Sequence, residues 1–166
     1  MSVEAVEVKI GGSFTLVDAN GKAVTDADFR GRFMLVYFGY TFCPDLCPTS
    51  LQSMAQAITL LGDKGAKVVP VFITIDPERD TPEHMKSYVA AFGPSMVGLS
   101  GTKEQTAAAA SAYRVYFARV EGENGTPYLM DHSSIIYLMG PNGKFVTHFG
   151  HGVTPEAMAE KIRTYL

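Results

Sequence analysis

The sequence has 166 residues, of which 46% are hydrophobic and 19% are charged, and its formal net charge is −3. These values are typical of a compact globular protein, so we expect one domain over residues 1–166 and exclude a disordered chain. The slightly acidic balance argues against a protein that binds nucleic acid through a basic face. No apolar run approaches the roughly 20 residues that a membrane-spanning helix needs.

The first residues, 1–7, are acidic and lack the apolar stretch of a signal peptide. On this reading the protein is either cytosolic or the exported part of a longer chain whose targeting segment is trimmed.

Strand and helix patterns alternate from the first elements onward. Asn20-Gly21 separates two β-rich segments and predicts an N-terminal β-hairpin. The apolar run 32–39 predicts a strand that is covered on both faces. A helix with one apolar stripe follows, and then a β-rich segment at 67–76, in which Pro70 suggests an edge, a bulge or the start of the strand.

The second half continues the alternation. Thr81-Pro82 opens a helix, and Thr102 with Gln105 predicts a capping box for the next one. An inserted hairpin is expected around residues 122–125. Two further strands and a helix that begins at Thr154 complete an α/β domain with a mixed central sheet flanked by helices.

Cys43 and Cys47 are the two cysteines of the chain, and three residues separate them. They follow the buried strand 32–39 and open the next helix, which is the thioredoxin-like arrangement. The partial positive charge of a helix N-terminus favours thiolate over thiol, and thiolate both attacks disulfides and binds soft metals. A disulfide across so short a loop adds little stability, so the pair indicates redox chemistry or metal binding.

Two thiolates select Cu(I), zinc or iron–sulfur clusters. A structural zinc site usually has four protein ligands, and the chain holds no further cysteine. The opposing interpretation, a pair of inert buried thiols, fits poorly with two flanking prolines at a strand–helix junction.

His132 is the best candidate for a third ligand. It precedes an apolar strand that neighbours the cysteine loop in a thioredoxin-like domain, at the position where thioredoxins carry a cis-proline. The alternative is a capping or packing histidine. Asp131 is either a carboxylate that orients His132 or an ordinary turn residue.

The other polar candidates have weaker patterns. His148 and His151 have a spacing that suits a metal, but surface histidines at strand ends are more common. His84 lies in the first turn of a helix on a solvated face, where we expect no role. Asp76 either lies near the cysteines or caps a turn, and the scattered methionines are typical of core packing.

Three segments resemble the SCO family of copper-delivery proteins, which assist the assembly of cytochrome c oxidase. They are residues 37–48 (YFGYTFCPDLCP), 71–82 (VFITIDPERDTP) and 131–133 (DHS). With the opening hairpin and the last helix, the resemblance covers nearly the whole chain, and the order of the three segments is highly specific.

The resemblance implies a thioredoxin-like fold with an added N-terminal hairpin. It implies one copper ion per chain, Cu(I) or Cu(II), bound by Cys43, Cys47 and His132. The expected partners are an upstream copper donor and the oxidase subunit that carries the copper-A site. The expected location is the periplasmic side of the bacterial inner membrane or the mitochondrial intermembrane space, where family members are held by an N-terminal membrane anchor that this sequence lacks.

The alternative function is enzymatic. A thiol–disulfide oxidoreductase would use Cys43 or Cys47 as nucleophile and the other to resolve the mixed disulfide, and its substrate would be the cysteines of the copper-A site. A thiol peroxidase fits less well, because Pro44 stands where peroxiredoxins place Thr. In the copper-delivery interpretation, we expect the loop 76–80, including Glu78 and Arg79, to recognise the oxidase subunit together with the inserted hairpin.

Overall fold

The computed structural model describes residues 10–42, 46–122, 128–132 and 134–166, with the backbone alone at residues 46 and 129–132. Cys43 and most of the predicted hairpin tip at 122–125 lie outside these ranges. Nine strands and four α-helices occur in the described part. In chain order they are β1 (Thr15–Val17), β2 (Ala23–Thr25), β3 (Phe33–Gly39), α1 (Leu46–Leu60), β4 (Val68–Thr74), α2 (Pro82–Ala90), β5 (Val97–Leu99), α3 (Lys103–Ala112), β6 (Phe117–Val120), β7 (Leu129–His132), β8 (Ile136–Met139), β9 (Phe145–Phe149) and α4 (Pro155–Arg163).

A five-stranded mixed sheet forms the centre of the fold, in the order β5-β4-β3-β8-β9. Strands β3, β4 and β5 are parallel, whereas β8 runs antiparallel to both β3 and β9. The expected mixed α/β sheet is therefore confirmed. Pro70 lies in the part of β4 that precedes the pairing with β5 at Val71, so its missing N–H leaves the ladder to β5 intact.

The central strand β3 is covered on both faces because its residues alternate between them. Tyr37 stacks on Phe72 of β4, which in turn contacts Tyr88 of α2. The next residue, Phe38, packs against Tyr113 at the end of α3, with ring centroids 5.1 Å apart. Since both faces are buried, the sequence of this strand is continuously apolar, as the run 32–39 predicts.

The N-terminal hairpin of β1 and β2 is confirmed and is fastened to the body of the protein. Leu16 is fully buried, and Val17 exchanges two backbone hydrogen bonds of 2.8 Å with Ser100, just after β5. Among the caps, the Thr102–Gln105 box is present, and Thr154 accepts from the backbone N–H of Ala157.

The inserted hairpin is confirmed as the pair β6–β7. Its register runs from Val120 opposite Leu129 to Phe117 opposite His132. Within the described residues, no helix is long and apolar enough to cross a membrane.

Candidate metal-binding site

One edge of the sheet gathers the segments that carry the candidate ligands. The parallel strands β3 and β4 end there, with Gly39 opposite Thr74. Strand β8 begins at the same edge, because Ile136 lies opposite Tyr37, and β9 ends there, because Phe149 lies opposite Ile136. The chain entering α1, the loop after β4, the end of β7 and the loop before α4 therefore lie along one edge, where open α/β sheets place their sites.

Cys47 is the second residue of α1 and is fully buried. The hydroxyl of Tyr37, itself fully buried in β3, donates to Sγ of Cys47 over 3.7 Å. A hydrogen bond to sulfur stabilises its anionic form, and the helix N-terminus acts in the same direction. Full burial acts in the opposite direction, so these two interactions are what would allow Cys47 to serve as a thiolate ligand or nucleophile.

Gly39 makes the close approach of Cys47 to the sheet possible. A Cβ at this position would lie 2.7 Å from Sγ of Cys47 and 3.0 Å from the ring of Tyr37. A glycine within a strand often marks such an approach. The apolar pattern of β3 hid both this role and the hydroxyl of Tyr37, which sequence reasoning missed.

The segment that leads to Cys43 is held by Asp80, which is fully buried. Its carboxylate accepts from the backbone N–H of Thr41 at 3.0 Å, from the Thr41 hydroxyl at 2.5 Å and from the Thr74 hydroxyl at 2.6 Å. The loop 76–80 thereby connects the end of β4 to the chain two residues before Cys43. Sequence reasoning treated Asp80 only as part of a charged loop.

His84 is exposed, as expected, and its ring also reaches this segment. Because the Thr41 hydroxyl donates to Asp80, it accepts from Nε2 of His84 over 2.7 Å. The ring of His84 stacks on Phe42, whose side chain is 47% exposed. This contact places an exposed histidine–phenylalanine pair next to the position of Cys43 in the sequence.

Arg79 is largely buried, so only a small part of its side chain is available for the predicted recognition of a partner. Its side chain is 15% exposed, and Nε donates to Asp76 over 2.5 Å. Its guanidinium also lies over the rings of Phe42 and Tyr128, at 4.5 and 3.7 Å from their centroids. Glu78, by contrast, is 57% exposed and forms an ion pair of 3.8 Å with Arg119 at the surface.

His132 is the last residue of β7, four residues before β8 begins, so its backbone lies on the approach to the same edge. Its side chain lies outside the described part, as does Cys43, and so the three predicted ligands are not tested together. Among the side chains that are described, His, Cys, Asp and Glu form no group of three or more that could hold a metal ion.

The other two histidines differ in position. His148, on β9, is exposed and stacks on Phe145 with centroids 6.3 Å apart. His151 lines a cavity of about 230 Å³ together with Thr49 and Ser53 of α1. His151 is thus nearer to the start of α1 than its position after the last strand suggested.

This architecture, with a buried cysteine in the first turn of the helix after a central parallel strand, defines a thioredoxin-like protein. The sequence profile of the SCO1/SenC family matches residues 3–166. The chain belongs to this family.

Two relatives show how far the similarity extends. An SCO2-like protein of Rickettsia conorii is 43% identical over 157 residues, which cover 94% of this chain and 77% of the relative. The mitochondrial SCO1 homologue of Homo sapiens is 42% identical over 163 residues, which cover 95% of this chain but 53% of the human protein. The chain thus spans about half the length of the human relative.

Two solved structures share the fold closely, and both have copper bound. ScoI of Arabidopsis thaliana has a TM-score of 0.89 at 40% identity, over 93% of this chain and 96% of the plant chain. ScoI of Bradyrhizobium japonicum has a TM-score of 0.86 at 46% identity, over 95% of this chain and 99% of the bacterial chain. The expected family and thioredoxin-like fold are therefore confirmed.

Replacement of Gly39 tests the packing of Cys47 against the sheet. We expect Gly39→Ala to lower the free energy of unfolding by about 1–3 kcal/mol, because the new methyl group overpacks the space between Cys47 and Tyr37. Gly150→Ala is the matched control, since a Cβ there meets nothing within 4 Å and the backbone needs no positive φ. Chemical denaturation of both variants gives the comparison; equal stability would contradict the close approach.

Replacement of Asp80 tests the anchor of the cysteine loop. Both carboxylate oxygens of Asp80 accept hydrogen bonds from Thr41 or Thr74. Asn has only one acceptor oxygen, so its NH₂ group would face a donor and leave that donor without a hydrogen bond. We expect Asp80→Asn to cost about 1–3 kcal/mol, measured by thermal or chemical unfolding. The exposed Asp63 provides a control of equal charge change, and Asp63→Asn should stay within about 0.5 kcal/mol of the parent. If the two variants are equally stable, Asp80 does not anchor the loop.

Proposed function

We propose that this chain is a copper metallochaperone. It binds one copper ion, as Cu(I) or Cu(II), through Cys43, Cys47 and His132, and delivers it to the copper-A site of cytochrome c oxidase. The observation that carries the proposal is the buried Cys47 at the start of α1, with a hydroxyl donor on its sulfur, in a chain 40–46% identical to two copper-bound proteins.

The donor set suits copper as cargo. Two thiolates are soft ligands that hold Cu(I) at low coordination number, and an imidazole adds the nitrogen that Cu(II) prefers. Because the proposed ligands come from two separate segments of the chain, 43–47 and 132, copper can leave stepwise to a partner.

The proposed partner is the oxidase subunit that carries the copper-A site, with an upstream protein as copper donor. A related thioredoxin-like protein is described as a member of the Sco family of cytochrome c oxidase assembly proteins, and the human relative is mitochondrial. We place the present chain as the copper-binding domain, residues 1–166, of a membrane-anchored protein that faces the periplasm or the intermembrane space. The exposed Glu78 and Phe42 lie beside the site and contribute to recognition of the subunit.

A second function, thiol–disulfide exchange, is favoured by the position of Cys47 in the first turn of α1. In that reaction Cys43 and Cys47 form a disulfide, and two electrons and two protons pass to a disulfide of the copper-A site. The reaction needs no copper on the chain.

Transfer of copper to an isolated copper-A domain separates the two functions. We expect the reduced, Cu(I)-loaded protein to transfer about one copper per chain while its own cysteines end as thiols, measured by metal analysis and thiol mass labelling. Oxidised protein is the control, because a Cys43–Cys47 disulfide removes both thiolates and should abolish tight binding. If the chain instead retains no copper and ends oxidised after reducing the partner's disulfide, the exchange function replaces the proposal.

Replacement of His132 separates the ligand roles. We expect His132→Ala to retain most Cu(I) binding, since two thiolates suffice, but to lose stable Cu(II) together with its thiolate-to-Cu(II) absorption. Competition with a Cu(I) chelator and optical spectra of the Cu(II) form measure the two effects.

His148→Ala is the matched control, because that side chain lies on the exposed side of β9, stacked on Phe145. An unchanged Cu(II) spectrum in His132→Ala would exclude His132 as a ligand and direct attention to His151.

A further inference from the structure

We propose that Tyr128 is a positioning residue: clamped between Arg79 and Arg119, it fixes strand β7, and thereby His132, relative to the cysteine loop. This inference rests on the proposed copper function. It states that Tyr128, Arg79 and Arg119, which are not ligands, determine how well the site holds Cu(II).

The ring of Tyr128 lies between two guanidinium groups. The central carbons of Arg79 and Arg119 are each 3.7 Å from its centroid. Two planar groups cannot occupy the same face of one ring at this distance, so they cover opposite faces. A cation over a ring face is attracted by the negative face of the ring, and most strongly where the pair is shielded from water.

Hydrogen bonds join both the side chain and the backbone of Tyr128 to the loop 76–80. The hydroxyl of Tyr128 donates to Asp76 over 2.8 Å, and Nη1 of Arg79 donates to the backbone carbonyl of Tyr128 over 2.8 Å. Asp76 and Arg79 are themselves joined through Nε of the arginine. The start of β7 is thus fixed through its backbone and its side chain.

The loop 76–80 is a common base for both arms of the site. Asp76 is held by the Thr74 hydroxyl at the end of β4, and Asp80 holds the chain at Thr41. Arg79 also covers Phe42, the residue before Cys43. The loop therefore contacts the segment that leads to Cys43 on one side and the segment that leads to His132 on the other.

Phe117 of β6 packs against the core, but a gap remains between the hairpin and α3. A cavity of about 180 Å³ lies there, lined by Thr106 and Ala107 of α3 and by Phe117 and Ala118 of β6. The clamp around Tyr128 lies at the margin of this cavity. Its cation–π contacts and hydrogen bonds hold the hairpin where the cavity interrupts side-chain packing.

Strand β7 carries the constraint from Tyr128 to His132. The intervening residues pair with β6 throughout, and four residues of strand span about 13 Å. Arg119 belongs to β6, so the clamp holds both strands of the hairpin. Displacement of Tyr128 therefore displaces the backbone of His132.

The consequence differs between the two oxidation states of copper. Cu(I) accepts a two-coordinate dithiolate site, whereas Cu(II) needs its nitrogen ligand in a defined place. Loss of a residue that orients a ligand typically weakens metal binding about 10–100-fold. We therefore expect the clamp to matter for Cu(II) and hardly at all for Cu(I).

The test compares Tyr128→Ala, Tyr128→Phe and Arg119→Ala in the full chain. Tyr128→Ala removes the stack, and Tyr128→Phe keeps the ring but loses the bond to Asp76. Arg119→Ala removes one guanidinium, together with its ion pairs to Glu78 and Glu121. Tyr165→Ala is the control, since Tyr165 is 41% exposed near Lys161 on α4. If Tyr128→Ala fails to fold, the other two variants decide.

Three measurements are made on each variant: amide hydrogen exchange at residues 129–132 in the metal-free protein, the Cu(II) optical and EPR spectra with the rate of Cu(II) loss, and Cu(I) affinity by chelator competition. We expect exchange and Cu(II) loss to rise about tenfold or more in Tyr128→Ala, with an altered Cu(II) spectrum and with Cu(I) affinity within about threefold of the parent. Tyr128→Phe and Arg119→Ala should fall between these limits, and Tyr165→Ala should match the parent.

The proposal is overturned by faster exchange with an unchanged Cu(II) site, by unchanged exchange, or by an equal loss of Cu(I) and Cu(II) that accompanies global destabilisation. A parent protein that binds no copper would refute the proposed function instead. In that case hydrogen exchange alone still decides whether the clamp holds β7.

Discussion

The buried carboxylate of Asp80 is the interaction on which the geometry of this edge depends. A buried carboxylate is tolerated only where hydrogen bonds replace those it made to water. Thr41 and Thr74 donate three hydrogen bonds to Asp80. Asp80 also lies just before the N-terminus of α2, whose partial positive charge favours an anion. One residue thus links the ends of β3 and β4 and the start of α2.

Asp80 is the last residue of the loop 76–80, and its contacts also shape the rest of that loop. Because its backbone N–H donates to the carbonyl of Asp76 over 3.0 Å, the loop closes into a tight turn that places Arg79 inward. Arg79 then lies among the rings of Tyr40, Phe42 and Tyr128. The charged sequence of residues 76–80 looks like a solvated loop, but most of its charge is used internally.

The sequence allowed the fold to be predicted nearly completely, for physical reasons that particular segments illustrate. Residues 33–39 contain no charged side chain because both faces of β3 are covered, and Asn20-Gly21 supplies the backbone freedom that the first hairpin needs. Cap residues such as Thr102 and Thr154 act through neighbours three positions away, so their roles are visible locally.

The site was less accessible to sequence reasoning. Cys47 was identified because a cysteine pair at a strand–helix junction has few structural explanations. The contacts of Tyr37, Asp80 and Tyr128 join residues 10, 39 and 52 positions apart, and no local pattern specifies such pairs. The burial of Arg79 was not foreseen for the same reason, because its ring contacts come from two other segments.

The distribution of the proposed ligands over the fold has a functional consequence. Cys47 belongs to α1, which packs on the central sheet, whereas His132 ends a two-stranded hairpin that stands beside a cavity. Local opening requires the least free energy where buried contacts are few, and no residue of β6 is fully buried, so we expect the hairpin to open more readily than α1. Under the proposed function this asymmetry would help a protein that holds copper and then releases it, because the dithiolate pair would keep the ion while the histidine is displaced. The clamp around Tyr128 would then influence how readily the histidine is displaced.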